Sequence, residues 1–250
     1  KKKTRQKWSC IYSGKNISTG TKIFFDNNTE ATITKKNNYD IEIKFNKNIE
    51  NLLKTKGEMP TPPYVKTKLK NYERYNTVFA KKQGSIAAPT SGLHFTKEVL
   101  YKISAKGVKI CFITLHVSLG TFVPVKEENI ENHKMHPEQY EISKKTAKTI
   151  NERKGRLFIV GTTTLRALES NCSKKRKILA GKATTKLFVY PPYNFKLKFD
   201  AMLTNFHLPK SSLFLLVCAF AGRDVMQKAY RLAIENRFRF HSYGDCMLII

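Results

Sequence analysis

The sequence contains few cysteines, and none of them is paired at short spacing. Its five cysteines are scattered along 250 residues, and no two form a Cys-x-x-Cys motif. Structural zinc sites and disulfide frameworks both need cysteines at defined spacings, so the sequence predicts neither. This use of cysteine is typical of a protein from a reducing, cytoplasmic compartment.

Long hydrophobic runs are also missing. The longest uncharged apolar run, Leu213–Ala221, is too short to span a bilayer, so it predicts a buried helix or strand and no membrane partner. The first ten residues, KKKTRQKWSC, are basic but lead into no apolar segment, and we expect no secretory signal there. Because the sequence begins without Met, we expect a fragment or a processed product.

Acidic residues are scarce relative to basic ones. The chain has 19 Asp and Glu against 46 Lys and Arg, which gives a formal net charge of +27. Such an excess predicts attraction to a polyanion, with RNA or DNA favoured over a membrane. Most of these cations are Lys, and Asn and Ile are also abundant, so part of the charge is explained equally well by a compositional bias on solvated surfaces.

The pattern of apolar residues changes near residue 56. Up to about Glu50, short β-rich runs alternate with Gly and Asn turns, which predicts a small antiparallel β module. After the stiff segment PTPPY, helical and strand patterns alternate, and this alternation predicts an α/β domain with a largely parallel sheet. The predicted elements are helices at Thr96–Lys106, Ser143–Arg153 and Thr164–Ser170 and strands at Val108–Val117 and Arg156–Val160. We therefore predict two domains, residues 1–56 and residues 57–250.

A loop rich in Gly, Pro and hydroxyl residues, SIAAPTSGLHFT, leads into the first predicted helix of the second domain. Glycine lets a backbone approach a ligand closely, and a helix N-terminus offers free N–H groups to an anion. Thr90, Gly92 and His94 of this loop are therefore candidate site residues. Taken alone, the segment is more typical of a turn with a capped helix behind it.

Four further segments place polar side chains near predicted strand ends, where ligands gather in α/β proteins. Their candidate residues are His116 with Thr121 in the next loop, His136 with Glu138, Thr162 and Thr163 with Arg166, and Asn205 with His207. A fifth segment, HSYGDC, adds Asp245. Each has an ordinary alternative, such as a capping Thr, a hydrogen-bonded structural His or a chance pair on the surface. Their repetition favours one shared site.

Six segments together closely resemble the S-adenosylmethionine:tRNA ribosyltransferase-isomerase family of queuosine biosynthesis. They are AAPTSGLHF, TLHVSLGTFVPV, MHPEQY, VGTTTLRALES, DAMLTNFHLPKSSLFLLVCAFAG and RFHSYGDCMLI. The resemblance spans roughly residues 57–250, and the residues before it resemble part of that family's small β-barrel domain, incomplete at the N-terminus.

The resemblance implies transfer of the ribosyl group of S-adenosylmethionine to 7-aminomethyl-7-deazaguanine at the tRNA wobble position. The ribose is isomerised to give epoxyqueuosine-tRNA, and adenine and methionine are released. S-adenosylmethionine is consumed as the donor, so no cofactor or metal is implied. The partner is a tRNA with a modified wobble base, and we expect a monomer.

This chemistry needs proton transfers and an anion site for the methionine carboxylate, and histidines can move protons near neutral pH. We predict that the four histidines named above face one pocket, with two carboxylates as further acid/base candidates. These catalytic candidates are His94, His116, His136, His207, Glu138 and Asp245. The predicted anion site consists of Thr162, Thr163 and Arg166, and the other substrate-binding candidates are Thr90, Gly92, Thr121 and Asn205.

The sequence also departs from the family pattern. It lacks a motif like FNDTRVIPARL, which the family usually carries further upstream, so the alternative is a catalytically incomplete fragment that retains tRNA binding. Four single positions differ as well: Ser118, Pro137, Pro192 and His241. A methyltransferase is a third reading, but no Gly-rich loop with an acidic residue about 20 positions on is evident.

Overall fold

The computed structural model describes residues 2–12, 14, 16–25, 28–37, 40–58, 65, 75–117 and 127–250. The chain divides into two compact units, Lys1–Met59 and Pro60–Ile250. Within the described part of the chain, no helix is both long and apolar enough to cross a membrane.

The first unit is an antiparallel sheet with one helix. Its elements are β1 (Lys7–Cys10), β2 (Lys22–Phe25), β3 (Thr29–Lys36), β4 (Ile41–Phe45) and α1 (Glu50–Lys56). The sheet order is β1-β4-β3-β2. Alternate residues of β4, namely Ile41, Ile43 and Phe45, are buried, as expected for a sheet with one covered face. Among the described residues this sheet is open, and it does not close into a barrel.

The second unit contains five helices and six strands within its described residues. The helices are α2 (Lys97–Ala105), α3 (Lys144–Asn151), α4 (Thr162–Ser170), α5 (Ser212–Ala221) and α6 (Arg223–Glu235). The strands are β5 (Thr114–His116), β6 (Glu138–Ile142), β7 (Phe158–Val160), β8 (Gly181–Thr185), β9 (Ala201–Asn205) and β10 (Cys246–Ile249). A short 3-10 helix, Thr90–His94, precedes α2.

The prediction of a largely parallel sheet is wrong. One three-stranded sheet, β5-β6-β8, is antiparallel throughout, and in the other, β10-β9-β7, only β7 and β9 are parallel. The helices explain the difference, because α3 and α4 each connect strands that belong to different sheets. Alternation of helix and strand along the sequence therefore does not make consecutive strands neighbours here.

Several local predictions agree with the structure, since they depend on neighbouring residues. Thr96 is the N-cap of α2 and accepts a hydrogen bond from Val99 N–H, and Ser143 caps α3 in the same way. The apolar run Leu213–Ala221 lies in helix α5. Helix α4, in contrast, begins at Thr162, two residues before its predicted start.

Two other local predictions are partly wrong. The predicted strand Val108–Val117 is reduced to β5, and Val108 is exposed. The sequence after Asp224 also predicts a helix with Val225, Met226 and Tyr230 on one apolar face; in α6, Met226 and Tyr230 are buried, but Val225 is 61% exposed. Residues next to one another on a helix are about 100° apart, so with Met226 turned to the core Val225 points toward solvent.

The core of the second unit lies where α4, β9 and α5 meet. Leu165 and Ala167 of α4, Met202 of β9, and Leu216 and Val217 of α5 are at most 1% exposed. Close packing of this kind holds the ends of these elements at fixed positions. The residues that follow β7 and β9 are therefore presented on a rigid base.

Candidate functional site

A cleft lies at the carboxyl ends of the parallel strands β7 and β9. Val160 of β7 pairs with Leu203 of β9, so the two strands finish at the same edge of their sheet. Residues 161–164 follow β7, residues 206–209 follow β9, and both segments line the cleft. Strand ends of parallel neighbours are the usual position of ligand sites in α/β proteins.

The remaining walls come from segments far apart in the sequence. Ala88–Ser91 form one wall together with Leu115 and Val117, and His241 with Ser242 form another. The bridge between Ala87 and Val117 joins two of these segments. The polar residues that line the cleft are Thr90, Ser91, Thr162, Thr163, Thr164, Asn205, His207, Ser211, His241 and Ser242.

Two helices present their N-termini to the cleft. Helix α4 follows Gly161, which supplies no capping side chain, so the N–H groups of its first turn keep their capacity to donate. Helix α5 is capped by Ser211, which accepts from Phe214 N–H. A helix N-terminus carries a partial positive charge, so the α4 end and the adjacent hydroxyls of Thr162 and Thr163 can bind an anion.

His207 lies in a row of hydrogen-bonding groups at the end of β9. Its Nε2 is 3.0 Å from Thr204 Oγ1, which is 3.4 Å from Ser91 Oγ. Thr204 is fully buried, whereas Ser91 and His207 line the cleft. Burial and, to a smaller extent, the neighbouring His241 lower the pKa of His207 to about 3. His207 is therefore a neutral imidazole near pH 7, linked through Thr204 to a second hydroxyl of the cleft.

His94 contacts Asn205, which lines the cleft. Asn205 Nδ2 lies 3.1 Å from His94 Nε2, and burial is the main reason that the pKa of His94 is lowered. Asp245 is close enough to His94 to interact with it electrostatically. Asp245 itself binds Arg239, whose Nη2 donates to Asp245 Oδ1 at 2.7 Å, and this contact is the largest cause of the lowered pKa of Asp245.

The structure does not bring all four histidines to one pocket. Leu115 and Val117 line the cleft, and His116 between them points to the other side of the strand, because successive side chains alternate. A Cβ built on Gly84 would lie 3.1 Å from Cε1 of the His116 ring, which places that ring against Gly84. His136 does not line the cleft either. Of the four predicted histidines, His207 is among the described residues that line the cleft, and His94, His116 and His136 are not.

The predicted anion site is also wrong in one member. Arg166 is 2% exposed and forms a buried ion pair with Glu138, which is 1% exposed. Arg166 Nε donates to Leu187 O at 2.8 Å. The side chain lies one turn into α4, on the face that packs inside the domain, so neither its charge nor the carboxylate of Glu138 is presented to the cleft.

Two further predicted substrate-binding residues, Gly92 and Thr121, are not among the described residues that line the cleft. Gly92 does not line the cleft, and a Cβ at this position would lie 2.7 Å from Thr77 Cγ2, so its lack of a side chain serves close packing. Thr121 lies outside the described residues, as does Ser118. The predicted residues that do line the cleft are Thr90, Thr162, Thr163, Asn205 and His207.

Sequence reasoning missed several groups of the site. Ser91 and Thr204 belong to the row that ends at His207, and Tyr230 of α6 accepts the backbone N–H of His207 at 2.8 Å. Thr204 has a local signal, because it is a polar residue in the apolar strand AMLTN and is fully buried. His241 lines the cleft, although the sequence marked it only as a departure from the family pattern.

No group of three or more His, Cys, Asp or Glu side chains within the described ranges is arranged to hold a metal ion. The polar character of the cleft comes instead from hydroxyls, imidazoles, one amide and helix N–H groups. Such a set can donate and accept hydrogen bonds, bind an anion and relay protons.

Comparisons with known proteins agree on one family. A family model described as queuosine biosynthesis protein matches residues 2–249. The S-adenosylmethionine:tRNA ribosyltransferase-isomerase of Thermoanaerobacter sp. (strain X514) is 55% identical over 204 residues, which are 80% of this chain and 60% of that protein. The protein of the same name from Natranaerobius thermophilus is 46% identical over 253 residues, 98% of this chain and 74% of the relative.

A solved structure shows the same likeness. The crystal structure of an S-adenosylmethionine tRNA ribosyltransferase from Thermotoga maritima is 32% identical, and the match covers 100% of this chain and 72% of that one with a TM-score of 0.50. The match to the Thermoanaerobacter relative spans only 60% of that protein's length. Since the family model covers residues 2–249, the chain belongs to the queuosine biosynthesis protein family.

Proposed function

We propose that the cleft is where S-adenosylmethionine transfers its ribosyl group to 7-aminomethyl-7-deazaguanine at the wobble position of a tRNA. The ribose is isomerised in the same site, and the products are epoxyqueuosine-tRNA, adenine and methionine. The observation that carries this proposal is the cleft at the strand ends. His207, linked by hydrogen bonds to Thr204 and Ser91, and the N-terminus of α4 line this same cleft. Family membership and the names of the relatives support it.

The reaction makes three demands that the cleft residues can meet. The sulfonium of S-adenosylmethionine acidifies the neighbouring C5′–H, which a base must remove, and adenine leaves more readily when it is protonated. Imidazoles and linked hydroxyls suit both proton transfers. The methionine carboxylate needs an anion site, which the N–H groups of the α4 N-terminus and the hydroxyls of Thr162 and Thr163 supply.

The charge of the chain supports a tRNA partner. A net charge of +27 produces a positive field that attracts nucleic-acid phosphates, and binding of this kind weakens steeply with salt. We further propose that the protein acts as a cytoplasmic monomer without a cofactor or metal, S-adenosylmethionine being consumed as donor.

The test is adenine release from S-adenosylmethionine by the purified chain, with tRNA that carries 7-aminomethyl-7-deazaguanine. We expect release that requires the modified tRNA and is absent with the same tRNA carrying guanine. Release of S-adenosylhomocysteine instead of adenine would indicate methyl transfer and overturn the proposal. Binding of tRNA without adenine release would support the alternative, a chain that binds tRNA but lacks part of the catalytic machinery.

A further inference from the structure

The side-chain amide of Asn205 joins three parts of the cleft wall. Asn205 is the last residue of β9 and is 2% exposed. Its Nδ2 lies 3.1 Å from His94 Nε2, 3.0 Å from the His241 carbonyl oxygen and 3.5 Å from that of Ser242. One amide therefore links the loop before α2, the end of β9 and the loop before β10.

The two carbonyl groups fix the orientation of this amide. A backbone carbonyl can only accept a hydrogen bond, so the group of Asn205 that faces His241 and Ser242 must be the NH2. The reverse orientation would place Oδ1 against two carbonyl oxygens, which repel it. Since the NH2 also faces His94 Nε2, that ring nitrogen must accept, and it must be unprotonated.

This arrangement determines the tautomer of His94. With Nε2 accepting, the single proton of the neutral ring is on Nδ1. Adding a proton at Nε2 would set an N–H against the amide N–H and leave that donor without an acceptor.

We infer that Asn205 is a positioning residue that holds His94 as a neutral hydrogen-bond donor through Nδ1–H, and that His94 is not the base of the reaction. The inference rests on the proposed function only for the identity of the bound substrate. It separates the roles of two histidines, because His207 has its Nε2 beside the rotatable hydroxyl of Thr204, which can donate or accept. His94 has no such freedom at Nε2.

Three substitutions of His94 distinguish a donor from a base. The amide nitrogen of Asn falls near the position of His Nδ1, and that of Gln falls near Nε2. We expect His94→Asn to keep kcat for adenine release within about tenfold of wild type, and His94→Ala and His94→Gln to lower it by about 100-fold, as for loss of one fixed donor. His133→Asn, at a histidine bound to Glu127 outside the cleft, is the matched control. Equal losses for His94→Asn and His94→Ala would overturn the inference.

A second measurement needs no turnover. The ring 15N shifts of the wild-type chain should show His94 protonated at Nδ1 and not at Nε2 at neutral pH. In Asn205→Asp a carboxylate accepts where the amide donates, so we expect Nε2 to become protonated. Asn236→Asp, at an exposed amide that donates to Leu232 O, should leave the His94 shifts unchanged. Protonation of wild-type His94 at Nε2 would refute the assignment even if the chain releases no adenine, so this result is independent of the proposed function.

Discussion

The two halves of helix α4 differ in whether their polar groups face the cleft or the interior of the domain. At its N-terminus, Gly161 supplies no cap, and Thr162 and Thr163 face the cleft. Further along, Arg166 is paired with Glu138, and the fully buried carboxylate of Glu169 accepts from two backbone N–H groups. The N-terminal half of the helix is therefore accessible to a ligand, and the C-terminal half forms contacts that stabilise the fold.

This difference shows why the chemically attractive residue of the segment GTTTLR is not in the site. Arg166 carries a full charge, but it forms a buried ion pair with Glu138. The hydroxyls and N–H groups at the N-terminus are individually weaker, yet they are the groups that a ligand can reach.

The largest expected effect comes from breaking the buried ion pair. Arg166→Met leaves the Glu138 carboxylate uncompensated, and we expect the free energy of unfolding to fall by about 3–5 kcal/mol. The double variant Arg166→Met/Glu138→Leu removes both charges and should recover most of this loss. Urea unfolding of the three proteins measures it, and equal stabilities of the single and double variants would contradict the pairing.

A smaller loss is expected at Glu169. The Glu169 carboxylate accepts the backbone N–H of Lys196 at 2.8 Å and that of Leu197 at 2.9 Å. Glu169→Gln replaces one charged acceptor by a donor, so we expect a loss of about 1.5–3 kcal/mol in unfolding free energy. Glu152→Gln, at an exposed position after α3, is the control and should change stability little. An unchanged melting temperature in Glu169→Gln would argue against this role.

On the cleft side, the effect of His207 depends on pH. The pKa of His207 in the folded chain is about 3, below its ordinary value of 6.5, so the unfolded state binds the proton more readily. The stabilisation is fully present above pH 6.5 and is lost as the pH falls toward 3. We expect His207→Gln to remove this dependence, about 2 kcal/mol between pH 7 and pH 5. The measurement is the unfolding free energy of wild type and His207→Gln at pH 5, 6 and 7. If the two proteins lost the same free energy between pH 7 and pH 5, the prediction would be refuted.

The smallest effect on stability, and a selective effect on binding, is expected at the N-terminus of α4. Thr163→Val removes one hydroxyl from the cleft, so we expect KM for S-adenosylmethionine to rise about fivefold to tenfold, as for one lost hydrogen bond. Unfolding free energy should change by less than about 0.5 kcal/mol. Thr149→Val on α3, outside the cleft, is the matched control. A loss of stability without a change in KM would place Thr163 with the structural half of the helix.

Sequence reasoning succeeded where the cause is local. The cap at Thr96 and the loops after β7 and β9 follow from a few adjacent residues, and the structure has them at those positions. It failed where a distant partner decides the outcome. Glu138 and Arg166 are 28 positions apart, and nothing near either one shows that they pair.

Two other failures have a geometric cause. The motif TLHV names His116 but does not say which face of the strand it occupies, and the face is set by the pairing of β5 with β6. Sheet membership was misread for a similar reason, since a helix between two strands can return the chain to the same sheet or carry it to another. Both are properties of the assembled domain.

Gly161 and Gly92 are expected to tolerate mutation differently, although Gly161 immediately precedes helix α4 and Gly92 lies in the short 3-10 helix before α2. A Cβ at Gly161 would meet Ser91 at an ordinary 3.5 Å, but its φ of +89° with ψ of 143° lies near a region open almost only to glycine. In a saturation library, Ala at 161 should thus be nearly as unfavourable as Leu. At Gly92 the limit is space, so the penalty should grow with the volume of the new side chain. Mutational tolerance then separates a backbone constraint from a packing constraint.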